Sequence, residues 1–177
     1  MTTMENFEQA LTGGHPNSLG NTEAVVEAVL AEPQRLAELY GCYFAPDPVV
    51  RLRVSNAMKR IEKANHALLL PYLDRFLEEV STLDQASAQW TLAQLFLAYQ
   101  RDLTPTQRQR ATELLKRNLA TVDDWIVVNM TLNTLAAWAT TDDALRGWLI
   151  PHLQRFEHDA RKSVRGRAEK FLKQLTT

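Results

Sequence analysis

The sequence predicts an all-α chain built from repeated helix pairs. Three observations carry this. After residue 22, apolar residues recur at three- and four-residue spacing almost to the end. Strict two-residue alternation, the mark of a half-buried strand, is sustained nowhere. One eight-residue pattern occurs twice, 80 residues apart.

Composition sets the frame. Hydrophobic residues make up 45% and charged residues 23%, which are globular rather than disordered values. A chain of 177 residues buries roughly 70% of its unfolded surface, enough for a real core. No apolar run approaches the length of a membrane span, so no membrane partner is expected. The start, MTTMENFEQALTGG, lacks the basic and apolar regions of a secretory signal. The single Cys42 cannot form an internal disulfide, and a reducing cytoplasm is the simplest expectation. Twenty Lys+Arg against 21 Asp+Glu argue against a strongly basic nucleic-acid binder. The charge is uneven, however. Residues 1–47 carry a net −6 and residues 155–173 a net +4. Two such ends either steer partners or are simply solvated.

The elements follow in order. Residues 1–22 read as a polar leader, with turn residues from Gly13 to Gly20. Thr22 is a candidate cap for a helix carrying Val25 and Val29. Pro33 suits a first helical position ahead of Leu36, Leu39 and Tyr40, and the span 23–45 reads as capping helices. Asp47 and Pro48 start a longer helix with Val50, Val54, Ala57, Met58 and Ile61 on one stripe. Further stripes follow around Leu73, Leu95, Leu115, Leu132 and Leu149, and a last one from Val164 to Leu175. The helices near 88–99 and 125–139 are apolar over a wide arc, as elements covered on several sides must be. Residues 23–177 therefore read as one domain.

The helices also repeat. Leu69-Leu70-Pro71-Tyr72-Leu73-Asp74-Arg75-Phe76 and Leu149-Ile150-Pro151-His152-Leu153-Gln154-Arg155-Phe156 share the pattern L-[LI]-P-x-L-x-R-F. Residues 49–54 align with 163–168, placing Arg51 on Arg165. Two-helix units spaced 36–40 residues apart are the signature of an α-solenoid, in which each unit hides its apolar face against the next.

The run D-P-x-V-R-x-R followed by L-L-P-x-L resembles HEAT-type repeats. Asp47, Val50, Arg51 and Pro71 match the family pattern. Asp159, Val164, Arg165 and Pro151 form a partial second copy, and the middle unit departs from it. The Gly13–Gly20 leader followed by an acidic helix is also similar to small bacterial HEAT-repeat proteins. The resemblance implies a right-handed α–α superhelix of three to four helix pairs plus a terminal helix. It implies that Arg51 and Arg165 tie neighbouring repeats through aspartates. HEAT-like DNA glycosylases related to alkylation repair also belong to this class. They hold DNA with tryptophans, a catalytic aspartate and basic residues.

Chemistry-bearing motifs are sparse. The sequence contains no H-E-x-x-H, no paired C-x-x-C, no phosphate-binding P-loop and no G-x-S-x-G. His15, His66, His152 and His158 lack metal-ligand spacing, and no metal or cofactor is expected. His152 lies near its apolar stripe and reads as a buried ring. The Gly13–Ser18 loop could cradle an anion in its amides, or simply connect and cap. The pairs Asp123-Asp124 and Asp142-Asp143 sit at helix starts and read as caps. Trp90, Trp125, Trp138 and Trp148 read mostly as core, with no aspartate beside a tryptophan at the glycosylase spacing.

The expected function is a non-enzymatic scaffold that binds another protein or protein complex. Its candidate surface is the face of the second helices: Arg75, Glu78, Arg110, Glu113, Arg117 and Arg155, which lie mostly off the apolar stripes. The alternative is a DNA-binding or DNA-repair HEAT-like protein. A third reading, a subunit of an enzyme complex, differs from the scaffold only in what accompanies it.

Overall fold

Residues 6–177 are described by a computed structural model, and among them there are ten α-helices, four short 3₁₀ segments and no strand. They form two compact units. One runs to Thr91 and the other from Leu92 onward, so the division falls inside a helix.

The first unit contains α1 (Phe7–Leu11), α2 (Thr22–Ala31), α3 (Leu36–Gly41), α4 (Pro48–Ala64), α5 (Leu73–Glu78) and the start of α6 (Ala86–Ala98). Asp47 caps α4 as the sequence predicts, accepting from the Val49 amide at 2.8 Å, with Pro48 at the first helical position. The predicted stripe Val50, Val54, Ala57, Met58 and Ile61 is completely buried. α1 and α2 pack on α4, as do the 3₁₀ segments Cys42–Phe44 and His66–Tyr72.

The reading of residues 1–22 as a polar loop is corrected for the described part. Residues 7–11 are helical, and Phe7 and Leu11 are fully buried, with α1 packed on α2, α3 and α4. Two apolar residues at i and i+4 among polar neighbours give too short a period to register as a helix. Thr22 is not the cap of α2 but its buried first residue, and its hydroxyl donates to the Leu19 carbonyl at 2.5 Å.

The second unit contains the rest of α6, then α7 (Pro105–Thr121), α8 (Trp125–Ala139), α9 (Asp143–Phe156) and α10 (Lys162–Thr176). Asp124 and Asp142 cap α8 and α9, as predicted. Thr104 and Gln107 form a reciprocal capping box at α7. α8 touches α7, α9 and α10, and the Thr134 hydroxyl donates to the Ala93 carbonyl of α6 at 2.7 Å. That explains its wide apolar arc: neighbours on several sides leave little of it to water.

The two L-[LI]-P-x-L-x-R-F copies have the same burial on different backbones. Leu69 and Leu149, Leu73 and Leu153, and Phe76 and Phe156 are all buried, while Arg75 and Arg155 are exposed. Yet the first copy is a 3₁₀ segment leading into α5, and the second lies within the continuous helix α9. Proline removes one amide donor. Pro71 lies only six residues beyond Asn65, where the preceding helix ends, whereas Pro151 follows two established turns of α9.

Arg51 and Arg165 also behave alike. Each donates from Nη1 to the carbonyl six residues upstream, Ala45 at 2.7 Å and Asp159 at 2.8 Å. Arg51 adds the Pro46 carbonyl and the Gln85 amide oxygen. These arginines fasten the turn before their own helix, in place of the aspartate ladder that the resemblance implies.

Candidate functional site

The six expected surface residues fall in both units. Arg75 and Glu78 lie on α5 of the first. Arg110, Glu113 and Arg117 lie on α7 and Arg155 on α9, in the second. All six are exposed. On α7 the separation is sharp: Ala111, Leu114, Leu115 and Leu119 are buried, and the three charged residues occupy the opposite side.

In the second unit, α7 and α9 meet through a cation and an aromatic stack. Lys116 Nζ lies 5.1 Å from the centre of the Trp148 ring and 3.3 Å from Glu113. Trp148 stacks on His152, with ring centres 4.1 Å apart. His152 is not the fully buried ring expected: it is half-buried, and burial followed by the nearby Arg155 charge lowers its pKa. Trp148, His152 and Arg155 stand at i, i+4 and i+7, on one side of α9. The spacing was legible in the sequence, but nothing in it flagged the stack.

Arg155 also borders a cleft of about 300 Å³ at the ends of α7 and α9 and the start of α8. Leu119, Val128 and Phe156 supply apolar lining, and Asp123, Asp159 and Arg161 the charge. Arg161 pairs with Asp159 at 2.8 Å and Asp123 at 3.1 Å, and it also donates to the Asp123 carbonyl. Hydrogen bonding from Arg161 holds the Asp159 carboxyl down at about 2, against its usual 3.8. A carboxyl depressed in the folded state adds stability above its unfolded pKa and loses it as pH falls through the folded value. Asp159→Asn therefore lowers stability at pH 7 by about 0.5–1 kcal/mol, a figure kept small by solvent screening. Urea denaturation shows the gap between variant and wild type closing as pH approaches 2. A gap that persists there refutes the assignment.

In the first unit, Arg75 is held in an aromatic nest. Its guanidinium lies 4.1 Å from the Tyr40 ring centre and 5.6 Å from that of Tyr72, and it pairs with Glu79 at 3.3 Å. The Tyr40 hydroxyl donates to Glu79 at 3.0 Å. Burial, then Glu79, pushes the Tyr40 phenol well up, while Arg75 and Tyr40 pull the Glu79 carboxyl down. Phe44 beside them is 49% exposed.

The residue that sequence reasoning missed is Arg53. It sits on the buried side of α4 and is 1% exposed. All five of its N–H donors are used. Nη1 reaches the Leu11 and Gly13 carbonyls, both at 2.7 Å. Nη2 reaches the His15 carbonyl at 3.2 Å and Ser18 Oγ at 3.3 Å. Nε reaches the Ser18 carbonyl at 3.2 Å. The Gly13–Ser18 loop, read from the sequence as either an amide cradle for an anion or a connecting and capping turn, turns its carbonyls onto this cation of its own chain. An arginine between Val50 and Ala57 on an apolar stripe was the available signal.

Of the tryptophans, only Trp138 is buried, with the Arg108 guanidinium 3.5 Å from its ring centre. Trp125 is 51% exposed and departs from the core expectation. Cys42 is buried, and burial, then Glu8 and Glu38, raises its thiol pKa to about 11. Among the described residues, no group of three or more His, Cys, Asp or Glu could hold a metal ion. No helix among them is long and apolar enough to cross a membrane. A scan of protein-family models and a search of curated proteins give no match to this chain.

Proposed function

We propose that the chain is a non-enzymatic, HEAT-like scaffold, a right-handed α-solenoid that binds another protein through the exposed sides of its second helices. Arg110, Glu113, Arg117 and Arg155 form the recognition surface of the second unit, and Arg75 and Glu78 contribute in the first. The observation that carries this is the division of α7. One side is buried against its neighbours, and the other presents Arg110, Glu113 and Arg117 to solvent. A helix in a stacked array keeps a charged outer side of this kind available for extended recognition. The solenoid reading draws on the repeated burial pattern of the two proline motifs, the matching i−6 bonds of Arg51 and Arg165, and the packing of α8 against α7, α9 and α10.

The test is the full chain, crosslinked in native extract, against the double charge reversal Arg110→Glu/Arg117→Glu. Recovery of specific partners falls at least fivefold in the variant, with its helical circular dichroism unchanged. Unchanged recovery discards the reading. A gel shift with abasic duplex that weakens steeply with salt replaces it with the DNA-processing reading, because phosphate binding releases counterions.

A further inference from the structure

We infer that the Trp148–His152–Arg155 side of α9 docks a short acidic segment of the partner protein, with a carboxylate on Arg155 and an apolar side chain three residues away on the Trp148–His152 stack. This rests on the scaffold reading and names the partner's chemistry.

The charges point to the occupant. Lys116 is already paired with Glu113, and Arg161 with Asp159 and Asp123. Arg155 is exposed at the cleft and lies 4.9 Å from the Phe156 ring centre. Among the described residues, no acceptor is hydrogen-bonded to its guanidinium. A planar fork of donors open to solvent takes a carboxylate in two parallel bonds. The Trp148–His152 stack is half-buried, its rings tilted by 35°, and it is backed by Lys116, so it offers a pre-positioned aromatic surface for an apolar side chain. Carboxylates at Glu113, Asp123 and Asp159 interrupt the cations. They repel a continuous phosphate chain but leave room for one carboxylate at Arg155.

The helix sets the spacing. Seven residues along α9 rise about 10.5 Å. A peptide in the polyproline II conformation advances about 3.1 Å per residue and returns its side chains to the same face every third residue. Two anchor points on such a peptide therefore lie three residues apart.

The test uses the full chain and fluorescein-labelled twelve-residue peptides of Ser and Gly. Each carries one Leu and one Glu, separated by three positions or by one, in both orders. By polarisation, one order of the three-residue spacing binds at least fivefold more tightly than both one-residue peptides. Arg155→Glu weakens it at least tenfold and Trp148→Ala at least fivefold, while Trp148→Phe retains most of the affinity. Lys173→Glu, an equal charge change on the exposed side of α10, leaves it unchanged. Loss equal to that of Arg155→Glu in the Lys173 variant means unspecific charge attraction and overturns the inference. So does the absence of a spacing preference, and so does tighter binding of a twelve-residue oligothymidine. If partners dependent on Arg110 and Arg117 survive such a result, the scaffold reading stands without this site. If they are lost too, both fall.

Discussion

Replacing Arg53 with methionine lowers the stability of the chain by about 2–4 kcal/mol and releases the segment from residue 12 to residue 20. Methionine fills much of the volume and keeps the apolar stem, so the change isolates the guanidinium. Five acceptors then lose their donor. The bond to the Leu11 carbonyl is buried, and that oxygen is left with the full desolvation penalty. The others are part-buried, and water recovers some of their loss. Arg53→Lys regains less than half, because an ammonium has three donors where the planar fork has five. Two measurements check this together. Urea denaturation reads the global loss, and limited proteolysis reads cleavage between residues 12 and 20, which rises at least tenfold. A methionine variant as stable and as resistant as wild type refutes the role of the clamp.

The same clamp shows where sequence reasoning reached and where it stopped. Helix type was legible wherever a stripe ran for three turns, as in α4 and α8. Packing on several neighbours forces an apolar arc too wide to mistake. Caps were legible at Asp47, Asp124 and Asp142, because a carboxylate before a helix has one main task there. Pro71 and Pro151 were legible as a repeat but not as two backbones, since that difference depends on the helical length preceding each ring. The place of Arg53 on the apolar stripe signalled its burial, but its partners were illegible because they are mostly carbonyls, and every residue carries one. A buried cation met by an aspartate leaves a mark in the sequence, whereas one met by backbone does not. The surface was legible at the same coarse level. Periodicity placed Arg110, Glu113 and Arg117 off the stripe of α7. It did not reveal that Lys116 bridges to Trp148 on α9, which depends on how two helices approach.

Gly20→Ala costs about 2–4 kcal/mol, and the loss has two separable parts. The first is conformational. Gly20 has φ +50°, where a side chain costs about 1–2 kcal/mol. The second is steric. A Cβ on Gly20 would lie 2.8 Å from Arg53 Cζ and Nη1 and 3.2 Å from Nε. A flexible side-chain tip would normally step aside. This guanidinium does not, because five hydrogen bonds fix its plane, and any shift that clears the methyl breaks at least one. Gly13 separates the two parts. Its φ is +75°, but a Cβ there meets nothing within 4 Å, so Gly13→Ala carries only the conformational part. The double variant Gly20→Ala/Arg53→Met then loses less than the sum of its single changes, by about 1–2 kcal/mol, since methionine can yield where the clamped fork cannot. Strict additivity in urea denaturation means that the loop and Arg53 do not hold each other in place. A loss at Gly20 in excess of that at Gly13, relieved by removing the guanidinium, comes from that close approach.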